Sequence, residues 1–270
     1  MNGSRPAELA KLQCPIAPDR VLILTPVKQA AGHLASYFEC LERLDYPADL
    51  LSLGFLDSDS SDGTFERLQE RRGSLELTYR AVTLLKRDFS FQMPAGAPRW
   101  TPALQIARRV VLAKSRNFLL FGALGDEDWV LWLDVDVCDY PPDVLRRLLA
   151  TEKDIVTPHC VRTYGGATFD ENAWCDGGEV HMDELRGGSD LVRLSGVGST
   201  MLLVRADLHR QGLVFPPYLY GRESPFARRP SPLLGHGIGE VESEGLGLMA
   251  KDMGIECWGM PNLEILHVDE

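Results

Sequence analysis

Two aspartates one residue apart close an apolar run: Trp129 to Leu133 leads directly into Asp134, Val135 and Asp136. Along an extended chain, residues two apart point to the same side, so this spacing presents both carboxylates together. Like charges that close repel, and burial beside tryptophan and leucine adds a desolvation cost. A hard divalent cation relieves both. Magnesium or manganese held by one or two carboxylates completes its shell with water and phosphate oxygens, so the pair points to cation-assisted phosphate chemistry. A plainer reading makes Asp136 or Asp139 the cap of a helix in "PPDVLRRLL". A cap accounts for one carboxylate and leaves Asp134 without a purpose.

Two other pairs have the same spacing, Asp57/Asp59 and Asp126/Asp128. Ligands in open α/β sheets bind outside the carboxyl ends of the strands. Asp126 and Asp128 precede their strand, which is the wrong end, and read as solvated loop. The turn "LDSDSSDGT" follows a strand and can accept hydrogen bonds from a base or ribose, or it is a helix start capped by Ser61 or Asp62. No G-x-x-x-x-G-K-[ST] is present, and neither "GVGSTM" nor "GHGIGE" completes G-x-G-x-x-G, which argues against ATPase and dinucleotide dehydrogenase chemistry.

The elements that must position these residues alternate regularly. "RVLILTPV" reads as a strand, and "AAGHLASYFECLERL" carries Leu34, Phe38, Leu41 and Leu44 at helical spacing. "LLSLGFL" is the next strand, followed by a helix in "SDGTFERLQERR" expected to close near Gly73 and a strand in "LELTYRAVTLL". "TPALQIARRVVLAKSRNFLLFGAL" is a long helix with proline at its start and Gly125 at its end. "DWVLWLD", "PPDVLRRLLA" and "DIVTPHC" add a strand, a helix and a strand. This order predicts an α/β fold with a mostly parallel central sheet covered by helices on both faces. From 162 to 190 periodicity disappears, as in a functional loop; a second irregular stretch spans 221 to 240. The helix "VESEGLGLMAKDMG" and the apolar "IECWGMPNLEILHV" close the chain. We expect a flexible tail over 1–19 and one domain over 20–270.

Charge narrows the partners. A net charge of −11 repels nucleic acid and anionic membranes, so an anionic ligand must be met by a cation or by local basic residues. No apolar run approaches the roughly 20 residues needed to span a bilayer, and residues 1 to 19 lack a signal-peptide core. Six cysteines without a C-x-x-C pair read as reduced thiols of a cytoplasmic protein.

In order along the chain, "VLILTPVKQAAGHLASYFECLERLDYP", "SLGFLDSDSSDGT", "VVLAKSRNFLLFGAL", "WVLWLDVDV", "KDIVTPHC", "FDENAW", "RADLHRQGLVFPPYLY" and "VESEGLGLMAKDMG" resemble the successive motifs of the fungal α-mannosyltransferases that build the mannan backbone, glycosyltransferase family 62. The resemblance runs from about Val21 to His267. It implies the GT-A (Rossmann-like) glycosyltransferase fold, GDP-mannose as donor, manganese or magnesium as cofactor, a carbohydrate acceptor, and transfer with retention. It assigns Asp134 and Asp136 to the metal, Thr25, Pro26 and Asp59 to the nucleoside, Arg116 and Asn117 to the nucleotide, and Glu242 and Glu244 to the donor sugar and acceptor. His267 falls where such enzymes supply a late histidine to the metal. Arg228 and Arg229 are further candidates for the leaving diphosphate. Unlike the fungal enzymes the chain carries no amino-terminal anchor, which implies a soluble, bacterial-type member, and Ser195 stands where the family pattern carries an acidic residue.

In such a reaction the cation stabilises charge on the departing diphosphate. Retention needs no general base, whereas inversion would make Glu242 or Glu244 one. Two other readings use the same features: a sugar-nucleotide pyrophosphorylase, which normally opens with a glycine-rich loop that "TPVKQAAGH" lacks, and a carbohydrate-binding protein with a vestigial site.

Overall fold

A computed structural model describes residues 19–94, 101–176, 178–227 and 239–268. Most of the expected tail, together with Arg228, Arg229 and His236, lies outside the described residues.

The chain opens with β1 (Val21–Val27), α1 (Leu34–Glu42), β2 (Leu51–Asp57), α2 (Thr64–Thr78) and β3 (Ala81–Lys86). It continues with α3 (Pro102–Ala123), β4 (Trp129–Leu133), the short β5 (Val137–Asp139), α4 (Val144–Leu149) and β6 (Ile155–Val161). A small hairpin of β7 (Trp174–Cys175) and β8 (Val180–His181) precedes β9 (Val192–Leu194), β10 (Met201–Arg205), α5 (Ala206–Arg210), α6 (Glu242–Asp252) and β11 (Cys257–His267).

The main sheet has nine strands in the order β3-β2-β1-β4-β10-β6-β11-β5, with β9 also paired to β11. Its first half is parallel, because each of the early connections crosses over through a helix. β10 then enters antiparallel between β4 and β6. This reversal brings the start of β10 to the carboxyl end of β4, where the Asp134 amide donates to the Thr200 carbonyl at 2.9 Å.

Strand alternation builds two cores. Val21 and Ile23 face one side and pack with α1, α2 and α4 through Phe38, Leu68 and Leu145. Leu22 and Leu24 face the other and pack with α3, α5 and α6 through Leu120, Leu208 and Leu246. Helices therefore cover both faces, as the alternating pattern predicts. The approach of α3 is close at Gly54 on β2, where an added Cβ would stand 2.6 Å from the Leu24 side chain and 3.2 Å from Ala123 Cβ.

Two expectations change. α2 does not close at Gly73 but runs to Thr78, taking up "LELT" that reads as strand. Leu68 and Leu75, two turns apart, are both buried on this helix while Leu77 is 90% exposed, and that packing outweighs a glycine cost of about 1 kcal/mol. The chain after β4 is also not extended: Asp134, Val135 and Asp136 form a turn, with the Val137 amide donating to the Asp134 carbonyl at 3.3 Å.

Candidate active site

A cavity of about 460 Å³ opens at the carboxyl ends of β1 and β4. The end of β1 contributes Pro26 to Gln29, the turn after β4 contributes Asp134 to Asp136, and a segment after β3 contributes Phe91 to Met93. On α3 the lining residues Arg108, Val111, Leu112 and Ser115 follow helical spacing and form one face. Arg116 completes that wall beside Asp134.

The two aspartates come together through the turn rather than by strand alternation, and each has its own partner. Asp134 accepts from Arg116 Nη2 at 2.9 Å. Burial pushes its carboxyl up to about 6, Arg116 opposing the shift and Asp136 adding to it. Asp136 Oδ2 lies 3.1 Å from Nε2 of His267 at the end of β11. Burial draws the His267 imidazole down, but the bond to Asp136 outweighs it and the net shift is upward. Its ring stacks on Phe169 at 3.8 Å between centroids. The helix-cap reading of these acids falls away: Asp139 is held by Arg43 and Tyr164, and no side chain caps α4.

Arg116 joins this pair to the late acidic motif. Its Nε donates to Glu242 Oε1 at 3.1 Å, and its Nη1 is buried with no hydrogen-bond partner. Glu242 opens α6 at φ +61°, a left-handed conformation that a glutamate holds only where its surroundings impose it. Ser199 and Ser243 hydroxyls also donate to its carboxylate, and Arg109 Nη2 stands 3.7 Å away. Burial raises the Glu242 carboxyl, but Arg116 and Arg109 outweigh it and hold the group below the ordinary carboxylate range. Glu244 accepts from Arg109 Nη1 and from Trp174 Nε1. Both glutamates are buried, and neither lines the cavity.

The other expected contacts fall elsewhere. Pro26 lines the cavity, but Thr25 lies within β1 with its hydroxyl on Tyr37 OH at 2.8 Å. Asn117 uses both ends of its amide on the Phe215 backbone, which ties α3 to the segment before α6. Asp59 spends both carboxylate oxygens on the amides of Phe89 and Ser90. Asp126 pairs with Arg20 and Arg80 before β4, away from the site. Asp62, read as a helix-start residue, accepts from the Thr64 amide and hydroxyl and from the Ala31 amide, joining α2 to the end of β1.

Sequence reasoning missed Arg109, Trp174 and Lys28. Arg109 and Arg116 are seven residues apart, two turns of α3, and two basic residues on a buried helix face were the available signal. Trp174 closes the quoted motif "FDENAW", but in an aperiodic segment nothing pointed to its contact with Glu244. That segment is tied to the frame by His159 on the Thr168 hydroxyl, Asp170 on the Thr200 hydroxyl and Glu264 on the Gly165 amide and Arg186, and braced within itself by Asp183 on Thr168.

The chain is 30% identical over 292 residues to the mannan polymerase complex subunit mnn9 of Schizosaccharomyces pombe, covering 93% of this chain and 81% of that protein. It is 28% identical to the mannan polymerase II complex anp1 subunit of the same yeast, over 93% of this chain and 64% of the relative. Among solved structures, the mannosyltransferase PcManGT from Pyrobaculum calidifontis, in complex with GDP-Man and Mn2+, superposes with a TM-score of 0.54 at 16% identity, over 94% of this chain and 59% of that one. GalNAc-T7 with UDP, GalNAc and Mn2+ gives a TM-score of 0.51 at 9% identity, over 93% of this chain and 44% of that one. The chain thus spans under three fifths of one structure and under half of the other, and the likeness establishes a GT-A fold. The sequence profile of the Anp1 family matches residues 13–185, well over half of the sequence, and with the mnn9 relationship this places the chain in the Anp1 family.

Proposed function

We propose that the chain is a cation-dependent retaining glycosyltransferase that transfers mannose from GDP-mannose to a hydroxyl of a carbohydrate acceptor. One observation carries the reading: the cavity wall sets two half-buried carboxylates side by side, next to a buried Arg116 whose Nη1 has no hydrogen-bond partner. A metal-bound diphosphate suits both at once.

The donor set fits manganese or magnesium. Among the described residues no three His, Cys, Asp or Glu side chains form a closed cage, so the three expected ligands Asp134, Asp136 and His267 do not converge as one group. Asp134 and Asp136 supply the protein's share, which suits an ion that keeps water and phosphate oxygens, while His267 orients Asp136 from behind. When bound, the ion supplies Lewis-acid stabilisation of the leaving diphosphate. Arg116 holds Asp134 in place and offers Nη1 to phosphate oxygen, an electrostatic contribution fixed before reaction.

Glu242 is a poor proton acceptor, since two arginines hold it ionised below the usual range and its oxygens are already engaged. Its role is to fix Arg116. This favours retention, in which the departing phosphate takes the acceptor proton on the same face. Glu244, bonded to Arg109 and Trp174, stands where the 162–190 segment packs, and we assign that segment to the acceptor. The five free cysteines among the described residues fit a cytoplasmic setting.

The test is manganese-dependent release of GDP from GDP-mannose. Asp134→Asn and Asp136→Asn each abolish it while the protein remains folded; undiminished turnover in either removes the assignment. Anomer analysis of the product checks retention, which a β-linked product would refute.

A further inference from the structure

The segment from Asp88 to Met93 is held at the cavity by hydrogen bonds to Asp59 and Lys28. Asp59 accepts from the Phe89 amide and from the Ser90 amide, each at 3.0 Å. Its own amide donates to Asp88 Oδ1 at 2.9 Å, so Asp88 holds the Asp59 backbone while Asp59 holds the two residues that follow Asp88. Lys28 Nζ donates to the Phe91 carbonyl from the β1 side. Asp59 and Ser90 both sit at positive φ, +57° and +56°, a conformation costly for side chains other than glycine. Backbone strain kept at both ends of a clasp marks a segment whose position matters.

The tethers carry Phe91, Gln92 and Met93 into the cavity lining. Phe91 and Met93 offer apolar surface, and the exposed Gln92 brings a carboxamide, one acceptor and two donors. The cavity's other carboxamide, Gln29, is already engaged by Ser61 at its oxygen, 2.6 Å, and at its nitrogen, 3.3 Å. The acid pair and Arg116 line the same cavity and take the diphosphate in the function proposed above, which leaves the base to the remaining lining.

We infer that Gln92 reads the hydrogen-bonding edge of the donor's nucleobase, and that Asp59 and Lys28 are positioning residues that hold it there without touching the nucleoside. The inference rests on the glycosyltransferase reading and refines it. A carboxamide can match an edge that presents a donor next to an acceptor, as guanine and uracil both do. A carboxylate at the same place accepts only: it can take the two adjacent donors of guanine, whereas uracil has one donor between two acceptors and is repelled.

The experiment measures binding of GDP, UDP and inorganic pyrophosphate, each with Mn2+, to the whole chain by calorimetry. In Gln92→Ala, GDP affinity falls about 10-fold, the worth of a lost hydrogen-bonded edge, while pyrophosphate affinity is unchanged. In Gln92→Glu, the ratio of GDP to UDP affinity rises at least about 10-fold over wild type. Asp59→Ala reproduces the Gln92→Ala loss although the residue does not line the cavity, and Asp59→Asn, which keeps one acceptor oxygen, recovers part of it. In turnover the effects fall on KM for the donor, with kcat held. GDP binding within twofold of wild type in Gln92→Ala, a parallel loss of pyrophosphate binding, or an unchanged GDP to UDP ratio in Gln92→Glu overturns the inference. A wild-type chain that binds no nucleoside diphosphate with Mn2+ instead overturns the glycosyltransferase reading itself, so the two failures are distinct.

Discussion

Nε2 of His267 lies 3.1 Å from Oδ2 of Asp136, and this contact closes the end of β11 against the turn that follows β4. One residue comes from the middle of the chain and the other from its last strand, so the acid pair is set only once the whole sheet has formed. Replacing His267 with alanine leaves Asp136 without its orienting partner and removes the stack on Phe169. We expect manganese affinity in the presence of GDP to fall about 10- to 100-fold, as is typical when such an orienting partner is lost. Titration of Mn2+ into the GDP-saturated protein measures it, and an unchanged affinity would show that the imidazole is irrelevant to the ion.

Arg116 bridges Asp134 and Glu242 from a buried position. Arg116→Met leaves the buried Glu242 with Arg109 alone and the half-buried Asp134 without its cation, and stability should drop by about 3 kcal/mol. Arg116→Lys restores charge but not the fork that spans both acids, so it should recover part of the stability and none of the GDP release. Urea midpoints and turnover, read together, separate the two effects.

Gly54 leaves no room for a side chain between β2 and α3. Gly54→Ala should cost about 1–3 kcal/mol through overpacking against Leu24 and Ala123. Turnover per folded molecule should stay near wild type, because the contact lies away from the cavity. Equal loss of activity and stability would place α3's registration within the catalytic geometry.

His209 is buried, with Nδ1 donating to the Leu213 carbonyl at 2.7 Å and Nε2 accepting from Trp132 Nε1 at 3.3 Å. Burial lowers its pKa from 6.5 to about 4. Between those values the unfolded chain binds a proton that the native state excludes. The stability tied to this residue is therefore fully present above pH 6.5 and is lost as pH falls toward 4, by at most about 3 kcal/mol. Denaturation at roughly pH 7.5 and pH 5 should show the loss in wild type and a smaller one in His209→Gln. An equal loss in both would assign the acid sensitivity to other groups.

The parts of the fold that follow local chemistry were legible in the sequence. Trp129 to Leu133 reads as a strand buried on both faces and is one, and Pro102 opens α3 as expected. The acid pair was legible by its place at a strand end, although the turn that gathers it was not: periodicity describes extended chain and says nothing about where it bends. Gly73 misled because propensity is local while Leu68 and Leu75 act through the core. Arg109, Trp174 and the Asp59 clasp escaped for a related reason. Each acts through a partner more than twenty residues away, and separation in sequence carries no sign of such pairing.

The reversal at β10 divides the work of the molecule. Everything before it, from β1 to the turn at Asp136, builds the cavity. After β6, what packs there is the tethered stretch with Trp174 and the helix bearing Glu244. The two halves still meet at the site, where His267 reaches Asp136 and Glu242 reaches Arg116, so the later half is free to vary only away from those two contacts. Variation in the later half is thus confined by two side chains rather than by the length of the strand between them.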